Sequence, residues 1–275
     1  GLANTSPNPM VGAVIVRDGM IIGEGYHRRC GEGHAEVNAI ASVSDPELLK
    51  DSTIYVTLEP CSHYGKTPPC SQLIIDKGLP RVVVGSLDPY EKVSGRGVKM
   101  LRDAGIEVTT GVLEEECRAV NPVFMTAHSL RRPWVTLKWA QSADGYIDRL
   151  RDPSQPPAQL STPLTATLMH RQRTMHDAIM AGSGTVISDN PSLTSRLWPG
   201  RNPNRVIMSR HNSIPADCLL LTDGLPVTVS RSGSVAKELE RLYAEGTTSV
   251  LVEGGAKLLQ SFIDAGLWDM MRVET

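Results

Sequence analysis

Three side chains in the first half of the sequence could together bind a zinc ion: His34, Cys61 and Cys70. One imidazole and two thiolates leave the fourth position of a tetrahedral zinc open for water, which is typical of a catalytic site, whereas a structural zinc is usually closed by four protein ligands. Glu36 follows His34 by two residues and is not needed as a ligand. A carboxylate in that place can carry protons for a hydrolytic reaction. The four residues therefore predict a catalytic, hydrolytic zinc site.

The motif has the form expected of zinc deaminases, with one departure in spacing. Those enzymes carry His-x-Glu followed by Pro-Cys-x-x-Cys. Here His34-Ala35-Glu36 and Pro60-Cys61 are present, but eight residues separate Cys61 from Cys70 in place of two. In the predicted reaction, Glu36 takes a proton from the attacking water and passes it to the amine that leaves an amidine-like ring carbon. The chemistry indicated is the hydrolytic release of ammonia.

Alternating strands and helices are predicted to position these residues. His34–Val43 has apolar residues at helical spacing, so His34 and Glu36 lie at the start of a helix. Thr53–Leu58 is a β-branched strand that delivers Cys61 at its end, and the helix Ser71–Lys77 follows Cys70. Helix starts favour the thiolate form of cysteine. Further strands are predicted at Met10–Arg17, Met20–Gly25, Arg81–Gly85 and Val108–Val112, and a further helix at Gly97–Ala104. This alternation indicates an α/β fold, a three-layer sandwich with the site at strand ends.

Composition and charge limit the classes to which the chain can belong. Its 275 residues are enough for two domains, and 40% hydrophobic with 21% charged residues is ordinary for a globular protein. The net charge of −2 gives no bulk attraction to nucleic acid or to anionic membranes, and no apolar stretch has the length of a membrane span. Five cysteines without a visible signal peptide favour a reducing compartment. We expect a cytoplasmic enzyme that binds neither nucleic acid nor membrane.

A second α/β domain is predicted at 133–275, after a linker at 121–132 that ends a first domain at 1–120. Glycines follow two of its strands, at Gly182-Ser183-Gly184 and at Gly254-Gly255. Such turns let a ligand phosphate approach backbone N–H groups, although tight turns use glycine without any ligand as well. No G-x-G-x-x-G motif is present, which disfavours a Rossmann domain. Strands are predicted at Val135–Ala140, Ala178–Ala181, Arg205–Met208, Pro226–Val229 and Ser249–Val252, and helices at Pro163–His176, Val235–Glu245 and Ala256–Ala265.

Three segments of the first half resemble the deaminase domain of the bifunctional riboflavin-biosynthesis deaminase/reductase family. They are Thr5–Val16 (TSPNPMVGAVIV), His34–Ile40 (HAEVNAI) and Thr57–Ile75 (TLEPCSHYGKTPPCSQLII). The insert SHYGKTPP between the two cysteines distinguishes this family from cytidine and tRNA adenosine deaminases. The resemblance implies a cytidine-deaminase-like fold and the substrate 2,5-diamino-6-(5-phosphoribosylamino)pyrimidin-4(3H)-one.

The resemblance also assigns roles to individual residues of the deaminase domain. It implies that His34, Cys61 and Cys70 bind Zn²⁺ and that Glu36 carries protons. It further implies that Asn8 contacts the base. His63 and Lys66 of the insert are expected to contact phosphate or ribose, with a solvated loop lysine as the equal alternative for Lys66.

The second half resembles the reductase domain of the same family, through Pro133–Ile147, Asp177–Arg196 and Val250–Asp269. The resemblance implies a dihydrofolate-reductase-like α/β fold that uses NADPH, with Lys138 as an active-site cation. It places NADPH contacts at Gln141, Thr185, Asp189, Gly255, Ala256, Lys257, Leu258, Leu259, Gln260 and Ser261. It places substrate contacts at Arg173, Leu193, Arg196 and Glu253. An arginine pair suits a ribose 5-phosphate, because guanidinium groups bind phosphate with two parallel hydrogen bonds.

The second half also departs from the family pattern. Gln159–Thr162 stands where the family commonly has a tryptophan, and Ser209 ends a strand that usually carries an aspartate. The family has a helix before Thr5 and strands after Thr275, so the reductase domain is expected to be incomplete in this sequence or shortened. We expect a homo-oligomeric, bifunctional enzyme acting on a phosphoribosyl pyrimidine. The alternative is a nucleoside or tRNA-base zinc deaminase fused to a non-catalytic nucleotide-binding or dimerisation module.

Overall fold

The structure is a computed structural model that describes residues 4–64, 68–90, 94–152, 155–211 and 214–275. Its internal contacts divide the chain into two compact units, Gly1–Leu130 and Arg131–Thr275. Both units are α/β, as the sequence predicts. Within the described ranges, no helix has both the length and the apolar character needed to cross a membrane.

The first unit contains a mixed five-stranded sheet. Its strands are β1 (Gly12–Arg17), β2 (Met20–Tyr26), β3 (Thr53–Leu58), β4 (Arg81–Ser86) and β5 (Glu107–Thr110), in the order β2-β1-β3-β4-β5. Strand β1 pairs antiparallel with β2 and β3, whereas β3, β4 and β5 are parallel. The helices are α1 (Ala35–Ser42), α2 (Cys70–Asp76), α3 (Arg96–Asp103), α4 (Glu114–Ala119) and α5 (Pro122–Leu130), with a 3-10 helix at Pro46–Asp51.

Helices α1, α2 and α3 share one apolar core with the sheet. Ile15 and Ile54 of the sheet are fully buried with Ile74 of α2 and Leu101 of α3. Helix α1 approaches β2 closely because β2 has a glycine at the contact. A Cβ atom on Gly25 would overlap the backbone nitrogen of Ala39 and lie 2.6 Å from the carbonyl oxygen of Ala35. This approach fixes the start of α1, where His34 and Glu36 lie.

The segment predicted as a linker, 121–132, is mostly helical. Helix α5 occupies Pro122–Leu130, and the division between the two units falls after it. Asn121 ties this helix into the first unit, because its side-chain oxygen accepts a hydrogen bond of 2.7 Å from the backbone N–H of Met10. Met125 and Ala127 are buried. The Asn-Pro dipeptide that suggests a boundary in the sequence starts a helix here, since proline is well tolerated at the first helical position.

The second unit contains a six-stranded sheet in which every pairing is parallel. Its strands are β6 (Trp134–Ala140), β7 (Ala178–Gly182), β8 (Asn204–Met208), β9 (Val227–Ser230), β10 (Ser249–Val252) and β11 (Met270–Glu274), in the order β11-β6-β10-β7-β8-β9. The helices are α6 (Pro163–Met175), α7 (Ser183–Asp189), α8 (Leu219–Thr222), α9 (Val235–Ala244) and α10 (Ala256–Asp264).

The start of helix α6 confirms the cap predicted from the sequence. The Thr162 side chain accepts a hydrogen bond from the backbone N–H of Thr165, and Pro163 is the first helical residue. Strand β11 is absent from the sequence prediction. It lies at the sheet edge, and Met270, Met271 and Val273 are largely exposed, so no buried face marks it in the sequence.

Candidate active sites

His34, Cys61 and Cys70 meet at one point of the first unit. Their ligand atoms all lie within 4.8 Å of one another. The Nδ1 atom of His34 is 3.7 Å from the sulfur of Cys61 and 3.4 Å from the sulfur of Cys70. His34 stands directly before α1, Cys61 follows the end of β3, and Cys70 is the first residue of α2. The tertiary structure thus brings together three residues that 36 positions of sequence separate.

The donor set fits a zinc ion in both chemistry and spacing. Zinc–nitrogen bonds of about 2.05 Å and zinc–sulfur bonds of about 2.3 Å at a tetrahedral angle place the nitrogen and sulfur about 3.6 Å apart. The two separations in the structure, 3.7 and 3.4 Å, lie on either side of that value. Three ligands leave one tetrahedral position open, as a catalytic site requires.

Of the two cysteines, Cys61 has the electrostatics of a metal ligand, whereas the hydrogen bond to Cys61 and burial raise the pKa of Cys70. The Cys70 thiol hydrogen-bonds the sulfur of Cys61, and this bond lowers the pKa of Cys61 against the opposing effect of burial. The backbone N–H of Cys70 donates a second hydrogen bond to the same sulfur, at 3.3 Å. Zinc binding requires deprotonated sulfur, so these bonds prepare Cys61 as a ligand.

Glu36 is buried beside the three ligands. The residue is only 3% exposed, and burial raises the pKa of its carboxyl group to about 7. The negative charge of Cys61 acts in the same direction, whereas hydrogen bonds and the His34 charge oppose it. A carboxyl group with a pKa near neutrality can both accept and release a proton under ordinary conditions, which is what a proton carrier needs.

Glu59, which was not predicted as a site residue, fixes the chain just before Cys61. The buried carboxylate accepts hydrogen bonds from four backbone N–H groups, at 2.9 to 3.3 Å. The donors are Asp88, Gly95, Gly97 and Val98. These groups belong to the loop after β4 and to the start of α3, so Glu59 joins both to the end of β3. Its position directly before Pro60-Cys61 could have marked Glu59 as a site residue. Its hydrogen-bond partners, however, are distant in the sequence and cannot be recognised from local patterns.

The other residues predicted for the deaminase site are Asn8, His63 and Lys66. Asn8 contacts His27 at 3.5 Å, and the His27 ring packs edge-on against the His34 ring with 5.3 Å between centroids. His63 is exposed, and its charge acts on Asp88, whose pKa burial raises to about 6. Lys66 lies outside the described residues. His27, which packs against His34, and Asp88, whose pKa responds to the charge of Cys61, are both buried, and neither was predicted from the sequence.

The second unit contains a cavity of about 1110 Å³ along the carboxyl ends of its strands. That volume is slightly above the range of ordinary ligand sites. Two glycine-containing turns meet beside it, because the backbone N–H of Gly255 donates a hydrogen bond of 2.9 Å to the Thr185 hydroxyl. Gly255 directly precedes α10 and lies on the cavity wall. The wall therefore includes a helix start of the kind that receives ligand phosphates.

Many residues predicted for the reductase site line this cavity, and others do not. Lining residues among them are Lys138, Thr185, Asp189, Glu253, Gly255, Ala256, Lys257, Leu258 and Ser261. Asp189 also forms an ion pair with Arg151, which lies in the loop between β6 and α6. Gln141, Leu259, Gln260, Arg173, Leu193 and Arg196 are not among the described lining residues. Leu193 is buried in an apolar cluster and Leu259 in the core, whereas Gln260 bonds Asp264 on the surface.

Arg173 and Glu253 form a bidentate ion pair. The Nε and Nη2 atoms of Arg173 donate hydrogen bonds of 2.8 and 2.7 Å to the two carboxylate oxygens, and Nη1 donates to the carbonyl of Thr194. Burial opposes ionisation of Glu253, but the hydrogen bonds and charge of Arg173, with the charge of Lys138, leave the pKa of Glu253 lowered. Arg173 thus orients Glu253 at the cavity wall. Arg196 is exposed and donates to the Ser192 hydroxyl at 2.7 Å.

The end of the cavity near β8 and β9 is lined by three residues that were not predicted from the sequence: Arg210, His211 and Ser232. Arg210 is exposed and donates a hydrogen bond of 3.1 Å to the carbonyl of Gly233. This bond joins the loops that follow two neighbouring strands. A sequence signal existed in the serine- and arginine-rich turns after these strands, but such turns are common on any surface.

The first unit combines three side chains that fit a zinc ion with a buried carboxylate, and the second carries a large cavity at its strand ends. Together they define a two-domain enzyme with a zinc-dependent deaminase centre and a reductase centre. Residues 2–86 match the cytidine and deoxycytidylate deaminase zinc-binding region, and residues 133–274 match the RibD C-terminal domain. The chain belongs to the RibD family, and it is a bifunctional riboflavin-biosynthesis enzyme whose cofactors are Zn²⁺ and NADPH.

Relatives and solved structures agree over nearly the whole chain. The riboflavin biosynthesis protein RibD of Aquifex aeolicus is 38% identical over 292 residues, which cover 98% of this chain and 81% of the relative. The structure of the diaminohydroxyphosphoribosylaminopyrimidine deaminase/5-amino-6-(5-phosphoribosylamino)uracil reductase of Thermotoga maritima is 40% identical, with a TM-score of 0.83 over 96% of this chain and 80% of its own. The structure of Acinetobacter baumannii RibD is 33% identical, with a TM-score of 0.86 over 99% and 82%. The match over 133–274 favours a reductase over a non-catalytic module.

Proposed function

We propose that the first domain deaminates 2,5-diamino-6-(5-phosphoribosylamino)pyrimidin-4(3H)-one and that the second reduces the ribosyl group of the product to ribityl. The observation that carries this proposal is the presence, in one chain, of the His34, Cys61 and Cys70 cluster beside buried Glu36 and of the cavity lined by Lys138 and Glu253. The relative from Thermotoga maritima carries both activities in its name.

In the deaminase domain, His34, Cys61 and Cys70 would hold the zinc ion. When bound, zinc lowers the pKa of a coordinated water toward neutrality. Glu36 would accept a proton from that water and deliver it to the leaving amine, so that water and the ring amine become a carbonyl and ammonia. Its pKa of about 7 suits both transfers. Asn8 would contact the base from beside His27, and His63 and Lys66 would contact the phosphoribosyl group.

In the reductase domain, Lys138 and Glu253 would face the sugar. NADPH, when bound, supplies the hydride. Reduction to ribityl places the hydride on the sugar carbon that bears the amine and opens its bond to the ring oxygen, which then takes a proton. Lys138 lines the cavity and carries an ammonium that can supply this proton. Arg196, which is exposed, would bind the 5-phosphate, while Arg173 holds Glu253 in place.

The position of Lys138 and Glu253 also orients the cofactor. Strand β6 carries Lys138, and β9 lies four positions away in the sheet, which corresponds to about 19 Å at the usual strand spacing. If hydride transfer takes place beside Lys138, the adenosine half of NADPH extends toward β8 and β9. We infer that Arg210 pairs there with the 2′-phosphate that distinguishes NADPH from NADH, since guanidinium groups bind phosphate strongly.

Separate assays of the two products test the proposed function. The diaminopyrimidine substrate is offered with and without NADPH, while ammonia release and NADPH absorbance are followed independently. We expect ammonia release in the absence of NADPH, and loss of NADPH only after deamination. No release of ammonia would exclude the deaminase assignment, and no loss of NADPH after complete deamination would exclude the reductase assignment.

The setting in which the enzyme acts is part of the same proposal. We propose that it works in the cytoplasm as a homo-oligomer on small-molecule substrates. All five cysteines are free thiols in the structure, which suits a reducing compartment. Sedimentation of the purified chain over a range of concentrations tests the oligomeric state, and a single monomeric species throughout would contradict that part.

A further inference from the structure

Glu274 is a carboxylate at the edge of the second sheet that faces Lys138. Its Oε2 atom lies 3.9 Å from the Nζ atom of Lys138, and the two side chains are only 17% and 12% exposed. Strands β6 and β11 pair with Arg272 opposite Lys138 and Glu274 opposite Ala140. Because alternate residues of a strand share a face, Glu274 and Lys138 lie on the same face of the sheet. The strand register therefore sets this ion pair.

The same carboxylate holds the loop that leads into α6. The Oε2 atom of Glu274 accepts a hydrogen bond of 2.9 Å from the hydroxyl of Ser161, which directly precedes the cap residue Thr162. Lys138 and Ser161 both line the cavity, whereas Glu274 is not among the described residues of its wall. One carboxylate oxygen of Glu274 thus contacts two residues of the cavity wall, Lys138 and Ser161.

Lys138 interacts with two carboxylates, Glu253 and Glu274, whose surroundings differ. Its charge is one of the causes that lower the pKa of Glu253, so the ammonium lies within electrostatic reach of the cavity-lining carboxylate. Glu253 is already held by two hydrogen bonds from Arg173. Glu274 attracts the same ammonium from the side of β11, where Arg272 is the neighbouring charge on the shared face. The position of the Lys138 ammonium in the cavity wall therefore depends on both Glu253 and Glu274.

We propose that Glu274 is a positioning residue for the reductase reaction. It holds the ammonium of Lys138 and the hydroxyl of Ser161 in fixed places without touching substrate or cofactor. This inference rests on the role proposed above for Lys138. Without the Glu274 charge, the ammonium keeps the attraction of Glu253 and shifts toward it. A displacement of about 1 Å in an active site can lower a rate by about 100-fold.

Glu274→Gln, made in the 275-residue chain, tests whether the charge of Glu274 is needed to position Lys138. Its amide oxygen can still accept from Ser161, but it no longer attracts Lys138. We expect the kcat of NADPH oxidation to fall about 10- to 100-fold, as when a supporting residue around an active group is removed. The Kd for NADPH, the melting temperature and the rate of ammonia release should remain unchanged. Glu274→Asp keeps the charge and should recover part of the lost kcat. Glu240→Gln, an exposed position on α9, is the control with the same chemical change.

Lys138→Met, assayed together with these variants, distinguishes a failure of the role proposed for Lys138 from a failure of the role proposed for Glu274. If Lys138→Met abolishes reduction while Glu274→Gln keeps the full kcat, the positioning role of Glu274 is wrong and the role of Lys138 stands. If Lys138→Met keeps its activity, the proposed role of Lys138 fails, and the inference about Glu274 fails with it. A parallel fall in kcat, NADPH affinity and melting temperature for Glu274→Gln would show a purely structural role and overturn the inference.

Discussion

The carboxylate of Glu59 accepts a hydrogen bond of 2.9 Å from the backbone N–H of Gly97, across 38 positions of sequence. The two residues belong to the end of β3 and the start of α3. A Cβ atom on Gly97 would overlap the carbonyl oxygen of Pro60 and lie 3.2 Å from the Glu59 carboxylate. The chain that carries Cys61 is thus packed directly against a glycine, with no space for a side chain.

Gly97→Ala should therefore destabilise the first domain and weaken its zinc site. Since the obstacle is backbone, no side chain can move aside, and overpacking of this kind costs about 1–3 kcal/mol or more. Thermal unfolding and zinc titration of the variant measure the two effects. Gly12→Ala is the matched control, because a Cβ atom there meets only the Thr57 methyl group at 3.9 Å. Equal melting temperatures for the two variants would contradict the prediction.

Glu36→Gln should keep zinc and lose ammonia release. The amide preserves size but can neither accept nor deliver a proton, and the loss of a general acid–base group lowers rates by about 10²- to 10⁴-fold. Metal analysis of the purified variant and an ammonia assay check the two halves of the prediction. Glu32→Gln, an exposed position shortly before His34, is the control. Turnover at the wild-type rate by Glu36→Gln would remove the proposed proton carrier.

Arg173→Gln should destabilise the second domain in a pH-dependent manner. Arg173 keeps the pKa of Glu253 below its ordinary value of 4.5, so the pair stabilises the fold above that pH and the contribution is lost as the pH falls through the lowered pKa. Breaking a buried pair costs about 3–5 kcal/mol at pH 7. In Arg173→Gln, buried Glu253 lacks its charged partner, so the protonated form of Glu253 is favoured. The loss of stability caused by the substitution therefore becomes smaller as the pH falls.

Denaturant unfolding at pH 7 and near pH 4 measures this difference. Arg171→Gln, an exposed position on the same helix, is the control and should show a small change without this trend. A penalty for Arg173→Gln that is the same at both pH values would mean that the charge pair does not contribute in the expected way.

Arg210→Ala should weaken NADPH binding and leave NADH binding unchanged. Hydrogen bonds to a charged group contribute about 1.5–3 kcal/mol, which corresponds to an increase in Kd of roughly 10- to 150-fold. Fluorescence titrations with both nucleotides give the ratio directly. Arg231→Ala is the matched control, because Arg231 is exposed in the next loop but is not among the described lining residues. An equal loss of affinity for both nucleotides would place Arg210 elsewhere on the cofactor.

Much of the fold could be predicted from the sequence, since local patterns carry it. The helix cap at Thr162 and the buried strand Ser249–Val252 agree with the structure because a cap needs only neighbouring residues and a buried strand needs only a short apolar run. Strand β11 has no such pattern, since its edge position leaves its apolar side chains exposed. Helix α5 was hidden by an Asn-Pro pair that is equally typical of a loop.

Residue type and spacing are enough to predict the chemistry of the first domain, with His34, Cys61 and Cys70 as the proposed zinc ligands and Glu36 as the proposed proton carrier, and the structure brings the three proposed ligands together. The folded chain alone shows which charges meet. It pairs Arg173 with Glu253 across 80 positions and joins Ser161 to Glu274 across 113. It also places Glu274 behind Lys138. The physical reason is that such partners depend on strand order and register, which arise from the packing of distant segments and leave no local pattern in the chain.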